Sequence, residues 1–216
     1  ITGLGGKHWR IIGLRRAVSR GCVLRKLWEA NRGLVVFVVL MFMFRSTFAD
    51  WNDVPSGSMR PTIVEGDRIF VNKMAYDVRV PFTHISLLHV ADPQPGDIAL
   101  FDSSAADKRL VKRVIGVPGD VVMLRAQRLH VNGQVLTYEV EGGRTIETIG
   151  DVRHFVEWFD ERGAYGEFAT VEVPAGHYLM LGDSRDNSAD SRVIGFVPRE
   201  EFVGRSRHVV LSMDYD

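Results

Sequence analysis

Eleven consecutive apolar residues, Leu34 to Phe44 (LVVFVVLMFMF), constrain this 216-residue chain more than any other feature of its sequence. As a helix the run would be about 16 Å long, against about 30 Å of hydrocarbon in a bilayer. Extension over residues 33–51 adds Arg45, which can reach the headgroups, and Trp51, which suits a membrane interface. We expect one transmembrane anchor over residues 33–51. A buried core helix or the apolar part of a cleaved signal peptide also fits the run.

Charge is distributed unevenly about this run. Residues 1–49 hold nine Lys or Arg and one acid, whereas the remainder holds 18 bases and 26 acids. Because Lys and Arg concentrate on the cytoplasmic side of an anchor, residues 1–32 are expected to form a basic cytoplasmic tail. Residues 52–216 are then expected outside the membrane. The tail lacks aromatic interleaving and a binding motif, so no nucleic-acid partner is predicted.

From residue 52 onwards the sequence is typical of a mostly β domain. Branched and aromatic runs alternate with Gly, Pro and Asp turns, and Asn132-Gly133 predicts a two-residue hairpin. The single cysteine, Cys22, excludes an intramolecular disulfide framework. The seven histidines lack metal-ligand spacing, so no metal and no cofactor is expected. The predicted strands include Arg68–Asn72, Asp97–Phe101, Arg109–Val117 and His177–Leu181.

Three polar segments of this domain could carry chemistry. Ser58 lies in VPSGSMRPT, where prolines stiffen both flanks; the segment either presents a fixed hydroxyl or is a polar linker. Lys112 lies in an apolar strand, where burial can keep an amine neutral enough to act as a base, unless it is an exposed edge lysine. Residues 182–192 (GDSRDNSADSR) are either a solvated turn or a loop that bonds to itself.

Together these segments resemble bacterial type I signal peptidase, the membrane-bound leader peptidase with a Ser-Lys dyad. The resemblance implies a mostly β fold: a coiled β-sheet catalytic domain behind one N-terminal transmembrane helix. Residues 121–181 form an inserted β region, and no chemistry is assigned to its acidic stretch 139–167. The blocks that keep the family's order are 55–62 (PSGSMRPT), 66–76 (GDRIFVNKMAY), 110–120 (LVKRVIGVPGD) and 182–192.

The resemblance also implies the catalytic roles. Ser58 would be the nucleophile, and Lys112 the general base that takes its proton. The Ser58 backbone N–H and the Ser56 hydroxyl would form the oxyanion hole. Ser188 would hydrogen-bond to Lys112 and orient it.

Further residues would support this centre. Two ion pairs would fix the loop that carries Ser188, and neighbours on a strand face opposite ways, so Arg113 would point away from the Lys112 side. The expected pairs are Asp183 with Arg113 and Asp190 with Arg192. The walls of two shallow pockets for small substrate side chains would include Val54, Met59, Ile63, Ile69, Leu100 and Val111.

The implied activity is removal of N-terminal signal peptides from exported preproteins after A-x-A-type sites, through an acyl-enzyme. The implied partners are signal-peptide-bearing preproteins and the lipid bilayer. The implied location is the bacterial cytoplasmic membrane, with the catalytic domain on its outer, periplasmic side. A dedicated Ser-Lys peptidase with one partner substrate, such as the conjugation type, is the nearest alternative, and a chain that binds signal peptides without cutting them is another. Residues 81–90 are either plain core or a patch resting on the outer leaflet.

Overall fold

The computed structural model describes residues 25–26, 28–42, 49–80, 83, 85–159 and 167–212, which fall into two compact units, 1–45 and 46–216. In the first unit, residues 25–26 and 28–42 are helical and almost entirely exposed. No helix in these described ranges combines the length and the apolar character needed to cross a bilayer. Of the range expected as an anchor, residues 43–48 lie outside the description, and Ala49 to Trp51 belong to a strand instead of a helix.

The second unit is mostly β, which confirms the predicted fold class at this level. Predicted and observed bounds agree for Arg68–Asn72 and His177–Leu181. Its short helical turns are Gly57–Met59, Lys73–Ala75, Ser191–Ile194 and Arg199–Glu201. Its described strands are β1 (Ala49–Asp53), β2 (Arg68–Asn72), β3 (Asp77–Arg79), β4 (Ser86–His89), β5 (Ile98–Ser103), β6 (Lys108–Gly116), β7 (Val121–Arg125), β8 (Arg128–Val131), β9 (Gln134–Val135), β10 (Thr137–Glu141), β11 (Arg144–Ile149), β12 (Val152–Val156), β13 (Phe168–Glu172), β14 (His177–Leu181), β15 (Val197–Pro198) and β16 (Phe202–Leu211).

A seven-stranded antiparallel sheet, in the order β1-β2-β16-β5-β6-β14-β15, forms the framework of this unit. Consecutive residues of its inner strands are buried, for example Leu100 and Phe101 on β5 and Val114 and Ile115 on β6. Because consecutive side chains of a strand point to opposite faces, both faces of the sheet are covered here. A polar residue in the inner half of β6 is therefore shielded from water whichever face it occupies.

Two smaller sheets make up the inserted region, β13-β7-β8-β9 and β10-β11-β12. The predicted hairpin is confirmed: Asn132 and Gly133 connect β8 to β9 with φ of 53° and 79°, the positive values that a type I′ turn requires. Strand β14 pairs with β6 in the large sheet, so the separate sheets end before His177. Side chains of both parts share an apolar cluster, which joins the inserted region to the framework: Ile115, Val122, Leu124, Leu129, Ile149, Val173, Leu179 and Leu181.

The hairpin β3–β4 carries the segment predicted to be either core or a surface patch. Its described residues exclude the core alternative, because Ile85, Leu87 and Leu88 are 62%, 67% and 61% exposed. Pro81, Phe82 and His84 lie outside the described residues. The hairpin thus presents a group of apolar side chains to its surroundings, as the surface alternative requires.

Candidate active site

Ser58 lies on a short 3₁₀ turn, Gly57–Met59, in the connection between β1 and β2. The ends of this connection are tied together, since the N–H of Val54 donates to Asp67 O and the N–H of Gly66 donates to Val54 O, both at 3.0 Å. Ser58 itself is 7% exposed. The PSGSM segment is therefore an ordered turn that packs against the domain, and the interpretation of it as a polar linker is wrong.

Lys112 meets this serine from the neighbouring strand β6. Its Nζ lies 2.5 Å from Ser58 Oγ, and the lysine is 2% exposed. Burial lowers the pKa of Lys112 from an ordinary 10.5 to about 8; Asp190 and Asp183 oppose this effect, and Arg192 adds to it. A substantial fraction of the amine is therefore neutral close to physiological pH, in contact with a hydroxyl that it can deprotonate.

The hydroxyl of Ser56 lies beside the same centre. Its Oγ is 3.4 Å from Ser58 Oγ, within hydrogen-bonding reach. Ser56 precedes the 3₁₀ turn in an extended conformation and is exposed, so its hydroxyl is free to rotate towards a bound substrate. The structure thus brings Ser56, Ser58 and Lys112 together at one point.

Ser188 is also buried, but the expected hydrogen bond to Lys112 is missing from the structure. Among the described residues, the Ser188 hydroxyl oxygen has no hydrogen-bond partner. It packs against Gly182, where a methyl side chain would collide with both Ser188 Oγ and the carbonyl oxygen of Ser58. In addition, the N–H of Ser184 donates to Ser58 O at 3.1 Å. The 182–192 loop is therefore seated on the backbone of Ser58, and Ser188 contributes to this packing.

The structure brings together both pairs of residues that were expected to fix this loop. Arg113 donates two hydrogen bonds to Asp183, at 2.8 and 2.6 Å, with 3% and 1% of the two side chains exposed. Burial raises the pKa of Asp183, but Arg113, His154 and Thr62 together hold it below its usual value. Asp190 accepts from Arg192 at 2.8 and 2.7 Å and from the N–H of Gly182 at 3.0 Å. As expected, Arg113 points away from the Lys112 side of β6. Its side chain is buried in the protein interior there.

A third buried ion pair of the loop was not predicted from the sequence. Arg185, with no exposed surface, donates to both carboxylate oxygens of Glu147 on β11, at 3.0 and 2.5 Å. Burial raises the pKa of Glu147, but Arg185 and His154 hold it well below the usual range. One signal was available: the loop contains two arginines, Arg185 and Arg192, and only Arg192 had been given an acid partner, so a partner for Arg185 was still needed.

The six residues expected to line substrate pockets form a single apolar cluster. Five of them are at most 4% exposed, and Val111 is half-buried at its edge. The surface that this cluster offers to a substrate is thus small. Its members are Val54, Met59, Ile63, Ile69, Leu100 and Val111, packed with Ile98, Val71 and Val203.

The polar groups of this centre are suited to acyl transfer. Within the described ranges, no three His, Cys, Asp or Glu side chains come close enough to hold a metal ion. The centre offers a hydroxyl, an amine of lowered pKa and a neighbouring hydroxyl donor, which are the parts that nucleophilic catalysis at a carbonyl uses.

The chain is similar to several known proteins. The family described as signal peptidase, peptidase S26, matches residues 27–211. A signal peptidase I of Pseudomonas fluorescens is 37% identical over 199 residues, covering 82% of this chain and 69% of that protein. A signal peptidase I of Pseudomonas aeruginosa is 36% identical over 199 residues, which again cover 82% of this chain and 69% of that protein. A solved signal peptidase I structure from Enterococcus faecalis is 29% identical, with a TM-score of 0.37, over 54% of this chain and 97% of that chain.

Proposed function

The chain belongs to the signal peptidase family, peptidase S26, and from this membership we propose that it is a membrane-bound serine endopeptidase that removes N-terminal signal peptides from exported preproteins. One observation carries the proposal: Lys112 Nζ lies 2.5 Å from Ser58 Oγ in surroundings closed to water. A serine becomes a nucleophile when a base within hydrogen-bond reach can take its proton. This pair provides both groups without a histidine.

Acylation begins with Lys112 in its neutral form. The amine takes the proton of Ser58 Oγ while the oxygen attacks the carbonyl carbon of the scissile bond, which gives a tetrahedral oxyanion. The Ser58 N–H and the Ser56 hydroxyl donate to this oxyanion; loss of one such donor typically costs about 3 kcal/mol of transition-state stabilisation. The ammonium of Lys112 then gives its proton to the leaving amine, and the signal peptide remains as an ester on Ser58.

Deacylation repeats these steps with water. Neutral Lys112 deprotonates a water molecule that attacks the ester carbonyl, and the same donors hold the second oxyanion. The protonated lysine returns its proton to Ser58 Oγ as the ester bond breaks. The loop on Ser58 keeps bulk water from the amine, so the low pKa of Lys112 is preserved through both halves of the reaction.

Substrate selection follows from the apolar cluster beside the serine. Because Met59, Ile69 and Leu100 are already closely packed, only small substrate side chains fit against them without displacing core atoms. This supports cleavage after A-x-A-type sites. The substrate would lie extended along the β6 edge of the site, with Val111 at its border, and bind through backbone hydrogen bonds.

Two features support a location at the bacterial cytoplasmic membrane. Residues 34–42 are helical with exposed apolar side chains, such as Leu34 and Phe37 at 62% and 64%. Together with the basic segment before them, they suit a membrane anchor that ends before β1, with residues 1–32 in the cytoplasm. The exposed apolar side chains of β4 suit a second contact with the outer leaflet, on the periplasmic side.

The experiment that tests this function uses the full chain in detergent with an exported-protein precursor that carries an A-x-A site. Wild type, Ser58→Ala and Lys112→Ala are compared, and mass spectrometry locates the cut. Matched controls are Ser104→Ala and Lys108→Ala, which change an exposed serine and an exposed lysine of the same region. We expect cleavage after A-x-A by the wild type and both controls, and none by the two site variants.

Other outcomes contradict specific parts of the proposal. Cleavage by Ser58→Ala at the wild-type rate would show that the dyad is misassigned. A folded wild type that binds the precursor without cutting it would favour a binding-only chain. If it cuts none of several unrelated precursors, a dedicated peptidase with a single partner substrate becomes the better reading.

A further inference from the structure

The inserted region presents one row of polar side chains to the catalytic loop. Tyr138, Glu147 and His154 are direct cross-strand neighbours on β10, β11 and β12. The Tyr138 hydroxyl donates to Glu147 Oε2, and His154 Nε2 lies 3.3 Å from Glu147 Oε1. Glu147 has no exposed surface. The carboxylate is therefore buried at the centre of a row whose neighbours fix its orientation.

Arg185 connects this row to the loop. Its guanidinium donates to both oxygens of Glu147 and, through Nε, to the carbonyl oxygen of Gly182 at 3.2 Å. Its backbone is held as well, since its N–H donates to Glu157 O at 2.9 Å and its carbonyl accepts from Arg192 at 2.6 Å. The side chain of Arg185 thus joins the inserted sheet to the start of the loop, and its backbone bonds both to Glu157 in the inserted region and to Arg192 within the loop.

The point where Arg185 holds the loop is also the point where the loop contacts the nucleophile. Gly182 lies so close to Ser58 that there is no room for a side chain. Ser184, next to Arg185, donates its N–H to the carbonyl oxygen of Ser58. A displacement of Arg185 would therefore be transmitted directly to the backbone of Ser58, whose N–H is one of the proposed oxyanion donors.

We propose that Glu147 is a positioning residue: through Arg185 it holds the 182–192 loop against Ser58, so that the Ser58–Lys112 contact stays closed to water. The inference rests on the proposed peptidase function and assigns a task to the inserted region. Glu147 does not touch the reacting atoms. It acts by keeping in place the loop that covers the proposed base and nucleophile.

The test compares Glu147→Gln with the wild type in the full chain, using cleavage of the same precursor. If the loop loosens, water reaches Lys112, and the acidic limb of the pH–rate profile moves up from about 8 towards the ordinary lysine value of 10.5. A misplacement of about 1 Å costs about 100-fold in rate, so kcat should fall by up to about that factor. KM should change little, because Glu147 lies outside the proposed substrate-binding cluster.

Two further variants separate positioning from stability. Glu139→Gln is the matched control, since Glu139 lies on the adjacent strand β10 in an exposed ion pair with Arg153. The double variant Glu147→Leu with Arg185→Met replaces the buried pair by apolar side chains, so no buried charge is left alone and much of the lost stability should return. We expect its kcat and acidic limb to stay as in Glu147→Gln, because the link to Gly182 is gone.

Three outcomes would contradict either the positioning role of Glu147 or the proposed function. If Glu147→Gln keeps the wild-type kcat and acidic limb, the inference is wrong. If the double variant recovers stability and activity together, Glu147 is a structural cross-link only. If the wild type itself does not cleave, the proposed function fails, which is a different outcome from either of these.

Discussion

A change of pH is the sharpest test of the proposed mechanism, because only a neutral Lys112 can accept the proton of Ser58. Burial lowers the pKa of Lys112 to about 8. The neutral fraction is then about one half at pH 8, about one tenth at pH 7 and about one hundredth at pH 6. We expect kcat/KM to fall about tenfold for each pH unit below about pH 7 and to level off above about pH 9.

The same shift predicts an effect on stability. Lys112 has a pKa of about 8 in the folded protein, against an ordinary 10.5. Between these values the unfolded chain binds more protons, so the free energy of unfolding rises with pH in this window. At pH values below this window, the buried charge of Lys112 lowers the free energy of unfolding by a constant amount of about 3 kcal/mol, because each unit of pKa shift corresponds to about 1.4 kcal/mol. Lys112→Met should therefore be inactive, yet more stable at neutral pH by up to about 3 kcal/mol, less the lost contact with Ser58.

The assay measures kcat/KM for precursor cleavage across the pH range and, separately, unfolding by urea for wild type and Lys112→Met. Lys108→Gln is the control, because Lys108 is exposed on the same strand and its charge helps to lower the pKa of Lys112. Its removal should move the acidic limb slightly upwards and leave the plateau rate unchanged.

Two results would refute this reasoning. A profile that is flat from about pH 6 to about pH 9 excludes a lysine of lowered pKa as the base. A midpoint at the ordinary lysine value would mean that the amine is hydrated in the working enzyme, so the burial seen here would not apply to catalysis.

Three further predictions concern the loop, the framework and the membrane surface. Gly182→Ala should lower kcat/KM by about 100-fold, since the new methyl group collides with the backbone of the nucleophile; a folded, fully active variant would contradict the packing. Asp183→Asn should lower the free energy of unfolding by about 3–5 kcal/mol because it strands a buried guanidinium, whereas Asp102→Asn, in a partly exposed pair, should cost less than about 1 kcal/mol. Leu87→Ser with Leu88→Ser should weaken binding to lipid vesicles and leave cleavage of a short soluble peptide unchanged; unchanged vesicle binding would remove the proposed leaflet contact.

Much of the fold and part of the site could be predicted from local sequence. The bounds of β2 and β14 and the Asn132-Gly133 turn depend on short-range preferences, namely branched residues in strands and positive φ at the turn. Ser58 and Lys112 could be singled out because each is chemically unusual where it stands, a serine between prolines and a lysine in an apolar strand. Their roles came from the family resemblance, and their proximity appears only in the structure.

Local patterns failed where both faces of a strand are covered. On β11, Glu147 follows Ile146. Because neighbouring side chains of a strand point to opposite faces, a buried Ile146 predicts that Glu147 faces solvent, but the structure buries both. The family resemblance, for its part, implied that Ser188 bonds to Lys112, whereas in the structure Ser188 packs on Gly182. Neither result could be read from neighbours in the chain, because each depends on which element lies on the far side.

The sequence by itself therefore determined the β texture, the turns and the chemical types available for catalysis. Only the tertiary structure decided which groups meet. Lys112 reaches Ser58 across 54 positions, and Arg185 reaches Glu147 across 38. The physical reason is that a buried charge must find a partner somewhere in the fold, and burial is a property of the packed sheets, not of the residues flanking the charge.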